Sequence, residues 1–225
     1  IADKYLMNPK EISVAPPAST AATVTQHFVR CTSKDKRDVL VKLIDHEKVE
    51  SALIFCNRKR DIGVLHRFMK KGGYDVVELH GDMSQPARTA TLKQFKDGEA
   101  RLVICSDVAA RGLDIKGLSH VFNFDVPSHS EDYVHRIGRT GRAGMTGRAF
   151  MLVTKEDSKS LAAITKLIGK PIPEITADGV LSGKELPPLD GEASTPSAAE
   201  TTDKTEAADD TPRRPSRSRG GRGRK

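Results

Sequence analysis

Residues 135–144 read HRIGRTGRAG, with Arg136, Arg139 and Arg142 spaced three apart and a glycine ahead of each of the last two. Arginine stays charged at any working pH and presents a planar fork of donors, so ordered arginines can each grip a phosphate through two bonds. Gly138 and Gly141 permit a tight turn or close backbone approach. If the turn is helical, the three guanidinium groups share one face and could converge on one anion. A solvated basic turn would use the same residues. A second candidate is SDVAARGLDI, residues 106–115, in which Asp114 follows Arg111 by three positions. A carboxylate there could hold a sugar hydroxyl or simply pair with Arg111.

Such residues need a scaffold, and from Val24 to Ile168 short apolar runs alternate with helical patterns, as in a parallel sheet flanked by helices. The expected strands are TQHFVRC, SALIFC, YDVVELH, RLVICS, HVFNFD and GRAFMLV. The expected helices are DKRDVLVKLIDHE, with Val39, Leu40, Leu43 and Ile44 on one face; RDIGVLHRFMKK, with Ile62, Leu65, Phe68 and Met69 on one face; a third from Pro86 to Lys96; and SKSLAAITKLIG. Strands as apolar as LVIC are buried on both faces, and right-handed crossovers line up their carboxyl ends along one edge. Ligands bind at that edge in open α/β sheets. The segments to read for chemistry are therefore NRKR (57–60), HGDMSQPAR (80–88), SDVAARGLDI and the loop into HRIGRTGR.

The 225 residues allow one sizeable core plus a tail. The net charge of +7 is unevenly spread: residues 174–210 carry ten acidic and two basic side chains, and residues 211–225 carry seven basic and none acidic. A basic folded part with a basic tail favours a polyanionic partner. Cys31, Cys56 and Cys105 are odd in number and form no CxxC pair, which argues against a disulfide framework or thiolate metal site and for a reducing compartment. No apolar run or leader pattern points to a membrane, so a cytoplasmic chain is expected. Beyond Pro173 large apolar residues become scarce, and disorder is expected over residues 174–225.

Taken together, ALIFCNRK, HGDMSQPAR, SDVAARGLDI and YVHRIGRTGRAG, in this order and near these spacings, resemble the C-terminal RecA-like domain of DEAD-box RNA helicases over residues 1 to about 173. The RGG-bearing tail is similar to those of bacterial members such as the RhlE-like group. The resemblance implies a three-layer RecA-like α/β domain with a mostly parallel sheet over residues 23–173. Residues 1–22 would then be an interdomain linker and the end of a preceding domain, and residues 174–225 an acidic and then Arg/Gly-rich tail.

It further implies that Arg139 and Arg142 reach the γ-phosphate of ATP as arginine fingers, that His135 couples that phosphate to the domain interface, and that Asp114 contacts the ribose. Gln85 and Arg111 fall on positions at the interdomain cleft. Gly81, Asp82, Arg88 and Ser106 fall on positions along the RNA backbone; many members have threonine where Ser106 stands, and either hydroxyl can donate to a phosphate. Phe55 and Cys56 match the family's strand motif and are read as core. The implied ligands are ATP with Mg²⁺, the metal held mainly by the preceding RecA-like domain, and RNA bound with little sequence preference; no metal site, no membrane contact and a monomer are expected here. The sequence contains no GxxxxGK[ST] loop and no DEAD sequence, and GVLSGKE at residues 179–185 has the wrong spacing. Two other functions compete: an RNA-binding or partner-docking module of the same fold that works without ATP, and a related DNA helicase domain. Arg213, Arg214, Arg217, Arg219, Arg222 and Arg224 would make the tail an auxiliary RNA tether.

Overall fold

The computed structural model describes residues 23–183, apart from residues 112, 114–116 and 143. The expected linker (1–22) and the tail from residue 184, including its arginines, lie outside these described residues. Seven strands form one sheet: β1 (Val24–Arg30), β2 (Ala52–Phe55), β3 (Val76–Leu79), β4 (Leu102–Cys105), β5 (His120–Asn123), β6 (Gly147–Val153) and β7 (Glu174–Thr176). Their order is β3-β4-β2-β5-β6-β1-β7 and every pairing is parallel. Helices α1 (Lys36–His46), α2 (Lys59–Lys71), α3 (Gln85–Lys96), α4 (Asp107–Ala110), α5 (Ser130–Ile137), α6 (Ser158–Ile168) and α7 (Ala177–Ser182) supply the outer layers. This is the RecA-like three-layer fold expected from the sequence.

Covering both faces explains the unbroken apolar runs: every residue of β2, β4 and β5 is buried. On one face α1, α2 and α7 bury Leu40, Leu43, Leu65, Met69 and Val180 against Ile54, Ile104 and Phe150. On the other, Ala109, Ala110 and Leu113 pack with Leu53, Phe55 and Val103, and Tyr133, Ile137, Leu161 and Ile164 pack with Phe28, Ala149 and Met151. Of the face expected on α2, Phe68 is only half-buried and Arg37 stacks over its ring at 5.0 Å. Ser84 caps α3, its hydroxyl accepting from the Ala87 amide, with proline in the first turn.

Order does not stop at Pro173. Residues 174–176 form β7 beside β1, and α7 follows, capped by the Thr176 hydroxyl and closed by left-handed Gly183. The expected boundary was too early because few large apolar residues, Ile172 just before the segment and Ile175 and Val180 within it, are buried there. Three apolar residues are too few to show a period. The first residues of GVLSGKE accordingly belong to α7, not to a disordered stretch.

The turn after α5 is locked to the sheet by a close glycine contact. A Cβ at Gly147 would lie 2.3 Å from Thr140 Oγ1 and 2.4 Å from the Gly141 nitrogen, and Gly141 itself has φ +66° with Val24 Cγ2 2.5 Å from where its Cβ would be. The buried Thr140 hydroxyl also reaches the Leu118 and Ser119 carbonyls. Gly147→Ala is therefore expected to cost about 1–3 kcal/mol through overpacking, read as a lower urea midpoint at unchanged slope. A midpoint equal to the parent's would show that the contact relaxes freely.

All three cysteines are buried and free. Burial pushes the Cys31 thiol up to about 11 and Cys105 up to about 12, and raises Cys56 well above the usual thiol range. Because the thiolate is the reactive form, a disulfide reagent at pH 8 is expected to leave Cys56 and Cys105 unmodified in the native protein and to titrate all three thiols in urea. Rapid native labelling of Cys105 would contradict this packing.

Candidate functional site

The carboxyl edge of the sheet gathers Asn57 to Arg60 after β2, His80 to Ser84 after β3, Ser106 and α4 after β4, and Asp125 with the lead into α5 after β5. Helix α5 runs only to Ile137, and Gly138 caps it. The arginine run thus straddles a helix end, and its three members face different surroundings.

Arg136 points inward and its side chain is 1% exposed. Its Nε and Nη2 donate to both carboxylate oxygens of Asp107 at 2.6 and 2.7 Å, Nη1 donates to Asn123 Oδ1 (3.2 Å) and the Asp125 carbonyl (2.7 Å), and Nη2 donates to Asn57 Oδ1 (2.8 Å). All five guanidinium hydrogens are thereby used, and the cation sits 5.1 Å from the Phe55 ring centre. The expectation that Arg136 converges with Arg139 and Arg142 on one anion is corrected: its guanidinium is spent inside the fold, on the ends of β2, β4 and β5.

Arg139 and Arg142 differ. Arg139 is half-buried, with a 3.4 Å contact from Nη1 to the Leu113 carbonyl, and exposed Arg142 turns Nε back onto the Gly138 carbonyl. Neither has a carboxylate partner among the described residues. Burial, and after it the Arg142 charge, hold Arg139 below the ordinary arginine range. A partly desolvated, uncompensated cation beside a second one is a site that favours an anion. His135 is exposed next to it, and a small cleft lined by Phe55, Asp107, Arg111, Asp132, His135, Arg136 and Arg139 opens between α4 and α5. Arg111 pairs with Asp132 Oδ1 at 3.2 Å; Asp114, the expected ribose ligand or partner of Arg111, lies outside the described residues.

Residues 35–144 match the helicase conserved C-terminal domain family. Among curated relatives, the chain is 40% identical over 172 residues to the DEAD-box ATP-dependent RNA helicase RhpA of Helicobacter pylori, covering 76% of this chain and 35% of RhpA. It is 38% identical over 188 residues to CshA of Bacillus subtilis, another DEAD-box ATP-dependent RNA helicase, covering 82% and 38%. Among solved structures it is similar to the E. coli DEAD-box protein SrmB bound to regulator of ribonuclease activity A (33% identity, TM-score 0.67, 70% of this chain and 93% of that one). The C-terminal domain of the DEAD-box protein Dbp5 is comparably similar (34%, 0.65, 69% and 92%). The chain belongs to the DEAD-box RNA helicase family. It is a helicase C-terminal domain of that family, and it spans well under half the length of RhpA and CshA.

In this DEAD-box domain the other sequence candidates also lie along the carboxyl edge. Gly81 and Asp82 are exposed after β3, and Asp82 accepts a 2.6 Å bond from Lys59, which holds its carboxyl below the usual range. Gln85 opens α3 and is exposed. Arg88 reaches the Ala109 carbonyl at 3.4 Å, so α3 and α4 meet there. Ser106 stands at the start of α4, its hydroxyl making no capping bond. Phe55 and Cys56 are core, as expected.

Asp107, Asn57 and Asn123 did not stand out in the sequence. Each follows or ends a buried strand, and Asp107 sits inside the SDVAARG segment. A carboxylate and two amides at adjacent strand ends are a signal for a buried arginine, but only once the strand order is known.

Proposed function

We propose that this chain is the second RecA-like domain of an ATP-dependent RNA helicase, supplying arginine fingers and part of an RNA surface for local duplex unwinding. The observation that carries the reading is the contrast within one turn: Arg136 is fully neutralised, while Arg139 and Arg142 beside it lack carboxylate partners among the described residues. A structural ion-pair turn would neutralise all three. The uncompensated donors suit phosphate oxygens and would repel a metal cation, so the ligands of Mg²⁺ are assigned to the preceding RecA-like domain. No group of metal-ligating side chains occurs among the described residues.

When bound across the two domains, ATP with Mg²⁺ supplies the transferable phosphoryl group. Arg139 and Arg142 then neutralise charge that spreads over the phosphoryl oxygens as the bond breaks. His135, in the last turn of α5 and four residues before Arg139, links the site to the facing domain, with Arg111 and Gln85 as further cleft contacts. Asp114 is assigned the ribose. Ser106 and Arg88 donate to RNA phosphates, and Gly81 lets the strand approach the backbone, with Asp82 beside it. Arg136 joins these two halves, because Asp107 follows Ser106 directly and Arg136 follows His135 directly. Closing the domains would bend one RNA strand away from its duplex partner. The protein is read as a cytoplasmic monomer that needs its first domain to turn over ATP, and its arginine-rich tail as an RNA tether.

The test is ATP-dependent separation of a short RNA duplex by this chain joined to a DEAD-box first domain, with Ser106→Ala and Arg88→Gln variants. Unwinding by the parent that falls several-fold in the double variant, through weaker RNA binding, is expected. Equal unwinding by both proteins would remove the RNA role from this edge. ATP-independent RNA binding with no unwinding would favour the docking-module reading.

A further inference from the structure

Helix α2 starts at the carboxyl edge, where Lys59 bonds Asp82 of the HGD loop, and runs back along the outside of the domain. It buries Ile62, Leu65 and Met69. At 100° per residue, Arg60, Arg67 and Lys71 lie within about 40° of one another on the opposite side, separated along the axis by about 10 and 6 Å. All three are exposed, as is Lys70 on their flank. The helix holds a single carboxylate, Asp61, at 3.5 Å from Arg60, and Glu78 on the neighbouring strand faces His66. Val64 lies between these cations with 42% exposure, and Arg37 of α1 covers half-buried Phe68 beside them.

We propose that the solvent face of α2, with Arg37, is a second RNA-binding surface that carries single-stranded RNA onward from the carboxyl edge. Arg60, Arg67 and Lys71 meet successive phosphates, while Val64 and the Arg37–Phe68 stack offer apolar and planar surface to bases without reading their edges. Two features favour RNA over plain solvation: the cations outnumber nearby carboxylates, and the row is continuous through Lys59 with the HGD loop. The inference rests on the reading that this edge carries RNA.

The experiment measures binding of the 225-residue chain to oligouridylates of about 10 and about 25 nucleotides over a range of salt. The parent is compared with R60Q/R67Q/K71Q, a variant confined to exposed side chains, and with R88Q/S106A. For the longer RNA, the triple variant is expected to flatten the slope of log affinity against log salt by about 2, given about 0.7 per phosphate contact on a single strand. The shorter RNA should respond to R88Q/S106A, and because Arg60 alone of the three lies at the carboxyl edge, its slope should change by no more than about 0.7 in the triple variant. An unchanged slope for the longer RNA, with the shorter one still sensitive to R88Q/S106A, would leave the edge reading intact and overturn the α2 surface. Insensitivity of both RNAs to R88Q/S106A would refute the edge and, with it, the continuity on which this surface depends.

Discussion

Replacing Arg139 with alanine, in this chain joined to a DEAD-box first domain, is expected to lower RNA-stimulated ATP turnover by about 10³-fold or more, the range in which arginine fingers act in related nucleotidases. The fold should be unaffected, because the side chain is only half-buried and its one side-chain hydrogen bond among the described residues is a 3.4 Å approach to the Leu113 carbonyl. The loss should fall on kcat more than on KM, since in the proposed role the guanidinium would meet charge that develops as the phosphoryl group is transferred. Arg139→Lys should recover little, because an ammonium cannot present the planar fork. A variant within about threefold of the parent would remove Arg139 from the chemistry, whatever its burial.

The second large effect is on stability. Arg136→Ala leaves the Asp107 carboxylate, the Asn57 and Asn123 amide oxygens and the Asp125 carbonyl without their donors at once. Breaking one side of a buried, fully bonded pair typically costs about 3–5 kcal/mol, mostly from the uncompensated partner. The Asp107 side chain retains 25% exposure, so rehydration should place the loss toward the lower end of that range. Urea denaturation reads it directly. Asp107→Asn, which keeps an acceptor but removes the charge, should lose less, and the two substitutions together should lose less than the sum of each alone. A destabilisation under about 1 kcal/mol for Arg136→Ala would mean that the network is incidental to the fold. Arg136→Ala should also depress turnover, but only together with stability, whereas Arg139→Ala separates the two.

That separation could not be read from the spacing RxxRxxR. Three-residue periodicity places side chains on one face only while a helix continues, and α5 ends at Ile137, between the first arginine and the second. Tyr133 and Ile137 set the buried side of α5, and Arg136 shares that interior because Asp107, Asn57 and Asn123 wait there. Those partners come from three strand ends separated by long stretches of sequence, so no local pattern announces them. The six expected strands and four expected helices were legible for the opposite reason: runs such as LVIC and pairs such as Leu40 with Leu43 carry their burial in local periodicity. Helix α4, four residues long, and the β7–α7 segment, anchored by Ile172, Ile175 and Val180, are too short for a period to develop. The carboxyl edge itself was legible, because parallel topology alone brings the ends of β2, β3, β4 and β5 together.

In the proposed reading this chain carries one half of a nucleotide site. The most direct measurement is ATP hydrolysis by the 225-residue chain alone and by the same chain joined to a DEAD-box first domain, each with and without single-stranded RNA. No turnover by the chain alone and RNA-stimulated turnover by the joined protein are expected. Substantial turnover by the chain alone, purified free of contaminating ATPase, would contradict that reading and place a complete site within these residues.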